Sequence, residues 1–162
     1  MTIVLENIRS AWNVGSVFRT CDAIGCDLIL VGYTAQPTPA NMKLISKTAI
    51  GAEKTVSWQY FEHSQQVFDT YANKIHLAIE ISSDSKSIYD FVDNNQNLQT
   101  DDLILWFGNE IHGVSELVCT QAFAQVHLPM RGQKESLNIS SCMCAVAYLL
   151  DYGLGNCMVD KS

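Results

Sequence analysis

A chain of 162 residues with 48% hydrophobic content suits one core, and no Pro-, Gly- or Ser-rich linker marks the start of another, so residues 1–162 are expected to form a single domain. The net charge of −7 excludes binding of nucleic acid by overall basicity, and no apolar run approaches the roughly 20 residues of a membrane helix. In chain order the strand candidates are residues 3–5, 28–31, 75–81, 103–107 and 126–128, mostly continuous apolar runs suited to burial on both faces of a parallel sheet. Between them, Val14, Val17, Phe18, Cys21 and Ile24 form a helical stripe, and residues 42–49, 66–72, 88–92, 115–124 and 139–150 supply further helices. Alternating strands and helices predict an α/β layered domain with a mostly parallel sheet.

Three segments carry more polarity and glycine than turns require. In the first, Asn13-Val14-Gly15-Ser16-Val17-Phe18-Arg19, Asn13 sits at a candidate N-cap and Gly15 strips a side chain from the first turn, leaving backbone N–H groups open to an anion. At 100° per residue Arg19 projects roughly 140° from Val14, off the apolar stripe. On the residues alone, a solvated arginine is the simpler reading. In the second, Gly108-Asn109-Glu110-Ile111-His112-Gly113 lies just past a strand's carboxyl end, where open α/β sheets bind ligands. The third, residues 128–140, is a loop bearing Pro129, Gly132, Arg131, Lys134 and Glu135 that runs into an apolar helix, with Ser136 or Asn138 as its cap. Its excess polarity suggests a loop that handles a ligand. No G-x-G-x-x-G follows the first strand and no acidic residue follows residues 28–31, so an ordinary dinucleotide site is not supported.

Together and in this order, N-x-G-x-x-x-R at Asn13, G-x-E-x-x-G at Gly108 and P-M-x-G-x-x-x-S-L-N at Pro129 resemble the motif set of the SpoU (TrmH-like) class of SPOUT methyltransferases. The resemblance spans nearly the whole chain, and the chain resembles the short, catalytic-domain-only (TrmL-like) members. It implies an α/β fold with a C-terminal trefoil knot, and methyl transfer from S-adenosylmethionine to a ribose 2′-hydroxyl of tRNA, less often rRNA. It implies catalytic roles for Asn13, Arg19, Glu110, Ser136 and Asn138. It implies cofactor contacts at Ile79, Gly108, Leu128, Met130, Ser136 and Leu137. Because a free guanidinium is a very poor base, Arg19 would need substrate phosphate to help deprotonate the hydroxyl. The alternative is a non-catalytic RNA-binding or assembly factor on the same fold, against which stands the joint presence of the five catalytic candidates.

Charge is unevenly spread. Residues 1–60 hold five basic against four acidic side chains, residues 61–125 two against ten, and residues 126–162 three against three. The acidic middle reads as a solvated face, while the first and third motifs sit where phosphates remain acceptable. Six cysteines (Cys21, Cys26, Cys119, Cys142, Cys144 and Cys157) form no C-x-x-C pair, so reduced thiols and no metal are expected. The N-terminus lacks the basic and apolar regions of a signal peptide, which predicts a cytoplasmic protein. The last helix is apolar on more than one side, which suggests a subunit interface, and the family resemblance implies a homodimer.

Overall fold

The computed structural model describes residues 1–154. Seven parallel strands form one sheet: β1 (Thr2–Glu6), β2 (Asp27–Val31), β3 (Trp58–Phe61), β4 (Ile75–Ile79), β5 (Lys86–Ser87), β6 (Leu103–Phe107) and β7 (Ala124–His127). Their spatial order is β3-β2-β1-β6-β4-β7-β5. Six α-helices alternate with them: α1 (Ala11–Ile24), α2 (Met42–Ala49), α3 (Ser64–Thr70), α4 (Ile88–Asn94), α5 (Glu116–Gln121) and α6 (Ile139–Gly153).

The strands' period of two divides the core into two layers. Ile3, Leu5, Leu28, Leu30, Leu77 and Leu105 face α1, α2, α4 and α6 through Val14, Phe18, Ile45, Phe91 and Met143. Val4, Ile29, Ala78, Ile104 and Trp106 face α3 and α5 through Val67, Phe68 and Val118. The central strand β6 is therefore apolar at every position, because each face has a helical cover. At about 1.5–3 kcal/mol per fully buried large aliphatic side chain, this double burial is the main term holding the layers together.

The boundaries differ from the sequence expectation where burial fades. Strand β3 carries no continuous apolar signal because it lies at the sheet edge with Gln59 and Tyr60 exposed. Strand β4 stops at Ile79 rather than residue 81, since Glu80 turns into the next loop and Ile81 is exposed. Helix α5 ends at Gln121, where Ala122 turns extended (φ −63, ψ 144), and β7 begins two residues before the expected 126 and ends at His127. Cys157 lies outside the described residues; the five described cysteines are free thiols.

The start of α1 also differs. Ser10, not Asn13, is the N-cap, and its Oγ accepts the Asn13 N–H at 3.3 Å. The Val14 N–H donates to the Ser10 carbonyl at 3.1 Å, so the N–H groups of Asn13 and Val14 are both already engaged by Ser10. Gly15 serves packing instead: a Cβ there would run into the Ile45 carbonyl and the Thr48 hydroxyl of α2. Thr48 Oγ1 donates to the Trp12 carbonyl at 2.8 Å, tying the same two helices together.

On the α3/α5 face, the indole N–H of Trp106 donates to His76 Nδ1 at 3.0 Å, and His76 Nε2 donates to the Tyr71 carbonyl at 3.1 Å. Phe68 stacks on both rings, with centroids 4.4 and 5.0 Å away. The Nδ1 acceptor exists only in the neutral imidazole. Burial pushes the His76 pKa below its ordinary 6.5, opposed by the Tyr71 carbonyl. The unfolded state therefore binds the proton first, and stability falls as pH drops through 6.5 towards the depressed folded value. Urea midpoints measured between pH 7 and pH 5 are expected to decrease, and His76→Asn, which keeps an acceptor but no titratable ring, is expected to flatten that decrease.

Candidate active site

The loops leaving β4, β6 and β7 and the start of α6 enclose a cleft of about 1060 Å³ at the carboxyl edge of the sheet. A parallel sheet sends all its strand exits to one edge, which is why segments distant in sequence meet there. Ile79, Gly108, Leu128, Met130, Ser136 and Leu137, the six cofactor candidates, all line the cleft. Of the catalytic candidates, Glu110, Ser136 and Asn138 line it as well, and Asn13 is hydrogen-bonded to two of these.

The loop after β6 is shaped by its own side chains. Asn109 is buried; its Oδ1 accepts the N–H groups of Ile111 and His112 at 2.9 and 3.1 Å, and its carbonyl accepts the Gly113 N–H at 2.8 Å. Its Nδ2 donates to the Asn7 carbonyl at 3.0 Å and to the Tyr33 hydroxyl at 2.9 Å. Both glycines of the motif are required for space: a Cβ on Gly108 would strike the backbone of Gly113 and Val114. Gly113 has φ +69, and a Cβ there would collide with the Glu80 carboxylate.

Two carboxylates outside the motifs hold this edge. Glu80 accepts the Ile81 N–H at 2.9 Å through Oε1 and the Val114 N–H at 3.0 Å through Oε2, joining the exits of β4 and β6. Glu6, buried at the end of β1, accepts the N–H and Oγ of Ser115, each at 2.8 Å, and the hydroxyl of Ser64. Ser115 in turn caps α5. Neither carboxylate stands out in the sequence, where both merge into the acidic count. The available signal is position, one acidic residue ending β1 and one directly after β4.

At the mouth of the cleft three side chains form an oriented series. Asn138 caps α6, its Oδ1 accepting from the N–H and Oγ of Ser140 at 3.0 and 2.7 Å. Its Nδ2 is thereby left to donate to Asn13 Oδ1 at 3.2 Å, and Asn13 Nδ2 donates to Glu110 Oε1 at 3.2 Å. Asn138 is therefore the cap between the two sequence candidates, and Ser136 is an exposed loop residue. Arg19 is exposed on α1 as its stripe position predicts, but it does not line the cleft. It lies about 9 Å along the helix axis from Asn13 and roughly 120° around it.

Cys142 also faces the cleft, where burial, reinforced by the Glu80 charge, pushes its thiol up to about 11. It is a neutral thiol at physiological pH and not a nucleophile. Among the described residues no group of three or more His, Cys, Asp or Glu side chains could hold a metal, and no helix is long and apolar enough to cross a membrane.

Residues 1–148 match the SpoU rRNA Methylase family. A tRNA (guanosine(18)-2′-O)-methyltransferase of Thermus thermophilus is 26% identical over 148 residues, which is 91% of this chain and 72% of that protein. The SpoU methyltransferase AviRb from Streptomyces viridochromogenes, solved in complex with the cofactor AdoMet, superposes with a TM-score of 0.78 at 21% identity. The match covers 91% of this chain and 58% of AviRb, so the chain spans under two thirds of that protein. A structure solved to explain 2-OH methylation of C/U34 on tRNA matches over 96% of both chains, with a TM-score of 0.78 and 22% identity. These likenesses establish the fold.

The Glu80 clamp gives a direct test of how the edge is held. Glu80→Ala leaves the Ile81 and Val114 N–H groups without their acceptor and is expected to cost about 1–3 kcal/mol in urea unfolding. Glu80→Gln, which keeps one acceptor oxygen, is expected to recover part of that loss.

Proposed function

Because the chain belongs to the SpoU rRNA Methylase family, we propose that it transfers a methyl group from S-adenosylmethionine to a ribose 2′-hydroxyl of RNA, with tRNA the substrate class. One observation carries the reading. Segments drawn from residues 13, 108–113 and 128–138 meet at a single cleft, with Asn138, Asn13 and Glu110 bonded in series.

The lining fits the cofactor. Ile79, Leu128, Met130, Leu137 and Ile139 offer an apolar wall for an adenine ring, and glycine-shaped backbone allows close approach to a sugar. Glu80 and Glu110 on the same wall favour a cationic ligand. When bound, S-adenosylmethionine supplies an electrophilic methyl group on a positively charged sulfur. The chain's own work is positioning. Asn13 fixes the Glu110 carboxylate, Asn138 fixes Asn13, and Ser136 adds a hydroxyl that can donate to or accept from substrate. The Arg19 guanidinium holds a substrate phosphate in one orientation, so that a phosphate oxygen rather than the arginine receives the 2′-hydroxyl proton.

Since Arg19 does not line its own cleft, this reading has it serve the cleft of a second copy in a homodimer built on α6 and part of α1. Support comes from α6, which exposes Tyr148 and Tyr152 beyond the face buried by Met143, Val146 and Leu150. The trefoil knot belongs to the same proposal. It is supported by the strand order, in which the chain leaving β6 passes beyond β4 to form β7 and then returns to pack α6 on α1. A cytoplasmic setting is likewise proposed, consistent with the free thiols.

Single-turnover transfer to RNA from a deletion strain tests the chemistry. Arg19→Ala and Arg19→Lys are each expected to lose on the order of a hundredfold in rate, with calorimetric affinity for S-adenosylhomocysteine unchanged. Retention by Arg19→Ala of more than about a tenth of the rate, under roughly 1.4 kcal/mol, would remove Arg19 from the site. Light scattering is expected to give twice the 18.0 kDa chain mass. Mixing Arg19→Ala with Asn138→Ala, each inactive alone, is expected to restore transfer, because a mixed dimer holds one cleft with both groups intact. No recovery in a proven mixed dimer would place Arg19 outside the shared site.

A further inference from the structure

Two aromatic rings tied to the Asn13–Glu110 contact are about half exposed, and each has a cation over its face. Trp12 is 52% exposed with Lys47 Nζ 5.6 Å from its ring centroid, and Tyr33 is 53% exposed with the Arg9 guanidinium carbon 5.6 Å from its ring. Neither ring is loosely attached. Trp12 precedes Asn13 and its carbonyl is held by Thr48, while the Tyr33 hydroxyl accepts from Asn109 in the loop that carries Glu110. The two rings are thus tied to the two partners of the Asn13–Glu110 contact, Trp12 as the chain neighbour of Asn13 on α1 and Tyr33, on the loop after β2, through the neighbour of Glu110.

Resting on the reading above, we propose that these pairs form a single-stranded RNA platform, with one base stacking on Trp12, another on Tyr33, and Lys47 and Arg9 taking the adjoining phosphates. A ring with a cation over one face and the other face offered to a base suits a polyanion carrying flat bases, since stacking supplies sequence-tolerant affinity and the cations neutralise the backbone. Charge decides between RNA and an acidic or apolar protein partner. Residues 1–60 carry a net +1, with Arg9, Arg19 and Lys47 among their five basic side chains, whereas residues 61–125 carry a net −8. The acidic middle disfavours a polyanion along its own surface, so residues 1–60 offer the more favourable approach.

Trp12 also supplies the probe. Of the three tryptophans, Trp106 is fully buried and Trp58 lies half-buried in β3, so quenching by a stacked base reports on Trp12. Titration with an oligouridylate of about eight nucleotides is expected to quench the wild-type fluorescence, and Trp12→Phe is expected to abolish the quench while keeping affinity within about twofold. Trp12→Ala and Tyr33→Ala are each expected to weaken binding about tenfold and to raise KM for RNA, with affinity for S-adenosylhomocysteine unchanged. Tyr33→Phe, which loses only the bond to Asn109, is expected to bind like wild type. Arg9→Gln and Lys47→Gln are each expected to reduce the logarithmic salt slope by about 0.7. Absence of quenching, or wild-type affinity in both alanine variants, overturns the platform. So does a Trp12→Ala variant that changes oligomeric state but not oligonucleotide affinity, since the ring is then covered by a second copy. Quenching and tenfold effects without methyl transfer defeat the proposed reaction and leave the platform standing; transfer with an unchanged KM in both alanine variants does the reverse.

Discussion

Strand β6 pairs with β1 on one side and β4 on the other, and that double pairing sets where every functional segment can go. Its outgoing loop, residues 108–113, is flanked by the exit of β1 at Asn7 and the exit of β4 at Glu80. Asn109 reaches one through its side-chain amide, and the Glu80 carboxylate reaches Val114 from the other. The loop cannot move without breaking bonds to both neighbours. A glycine-bearing loop of this kind would otherwise lose much conformational entropy on ordering, and these acceptors offset that loss.

The acid balance of the chain acquires a different meaning in the fold. Glu6 and Glu80 act as acceptors for backbone and hydroxyl donors at the sheet edge rather than as free surface charge. Among the described residues no buried side-chain nitrogen or oxygen lacks a hydrogen-bond partner. Carboxylates committed to such bonds still count in the total of −7. Since hydrogen bonds from neutral donors leave that charge in place, its distribution along the chain, and not the total, is the guide to where an anionic ligand is opposed.

What the sequence made legible follows from the range of the interactions involved. The apolar runs of β1, β2, β4 and β6 announce themselves because both faces are covered, whereas β3 is hidden by its exposed edge position. The cofactor candidates Ile79, Gly108, Leu128, Met130 and Leu137 lead to the cleft because they sit at strand exits or in the loop before α6. Local patterns misled where two functions share one signature. An Asn followed two residues later by Gly reads as an anion-binding cap, yet Ser10 three residues earlier caps the helix and Gly15 exists to admit α2. The partners of Asn13 lie 97 and 125 residues away, and no periodicity encodes them. Arg19 shows the same limit: its departure from the apolar stripe is visible in the sequence, but its separation from the cleft is not.

Asn138 links folding to the site through a single amide. Its oxygen is committed to Ser140 as the cap of α6, so its nitrogen can only donate, which orients Asn13 to present its own oxygen to Asn138 and its nitrogen to Glu110. An isolated amide side chain could flip with little cost; this one is held by the end of a 15-residue helix that packs on α1. The polarity of the series is thus fixed by helix capping, and Glu110 becomes a carboxylate with one oxygen assigned only when α6 has docked. The last element to be synthesised among the described residues therefore completes a site whose other parts come from the start and the middle of the chain.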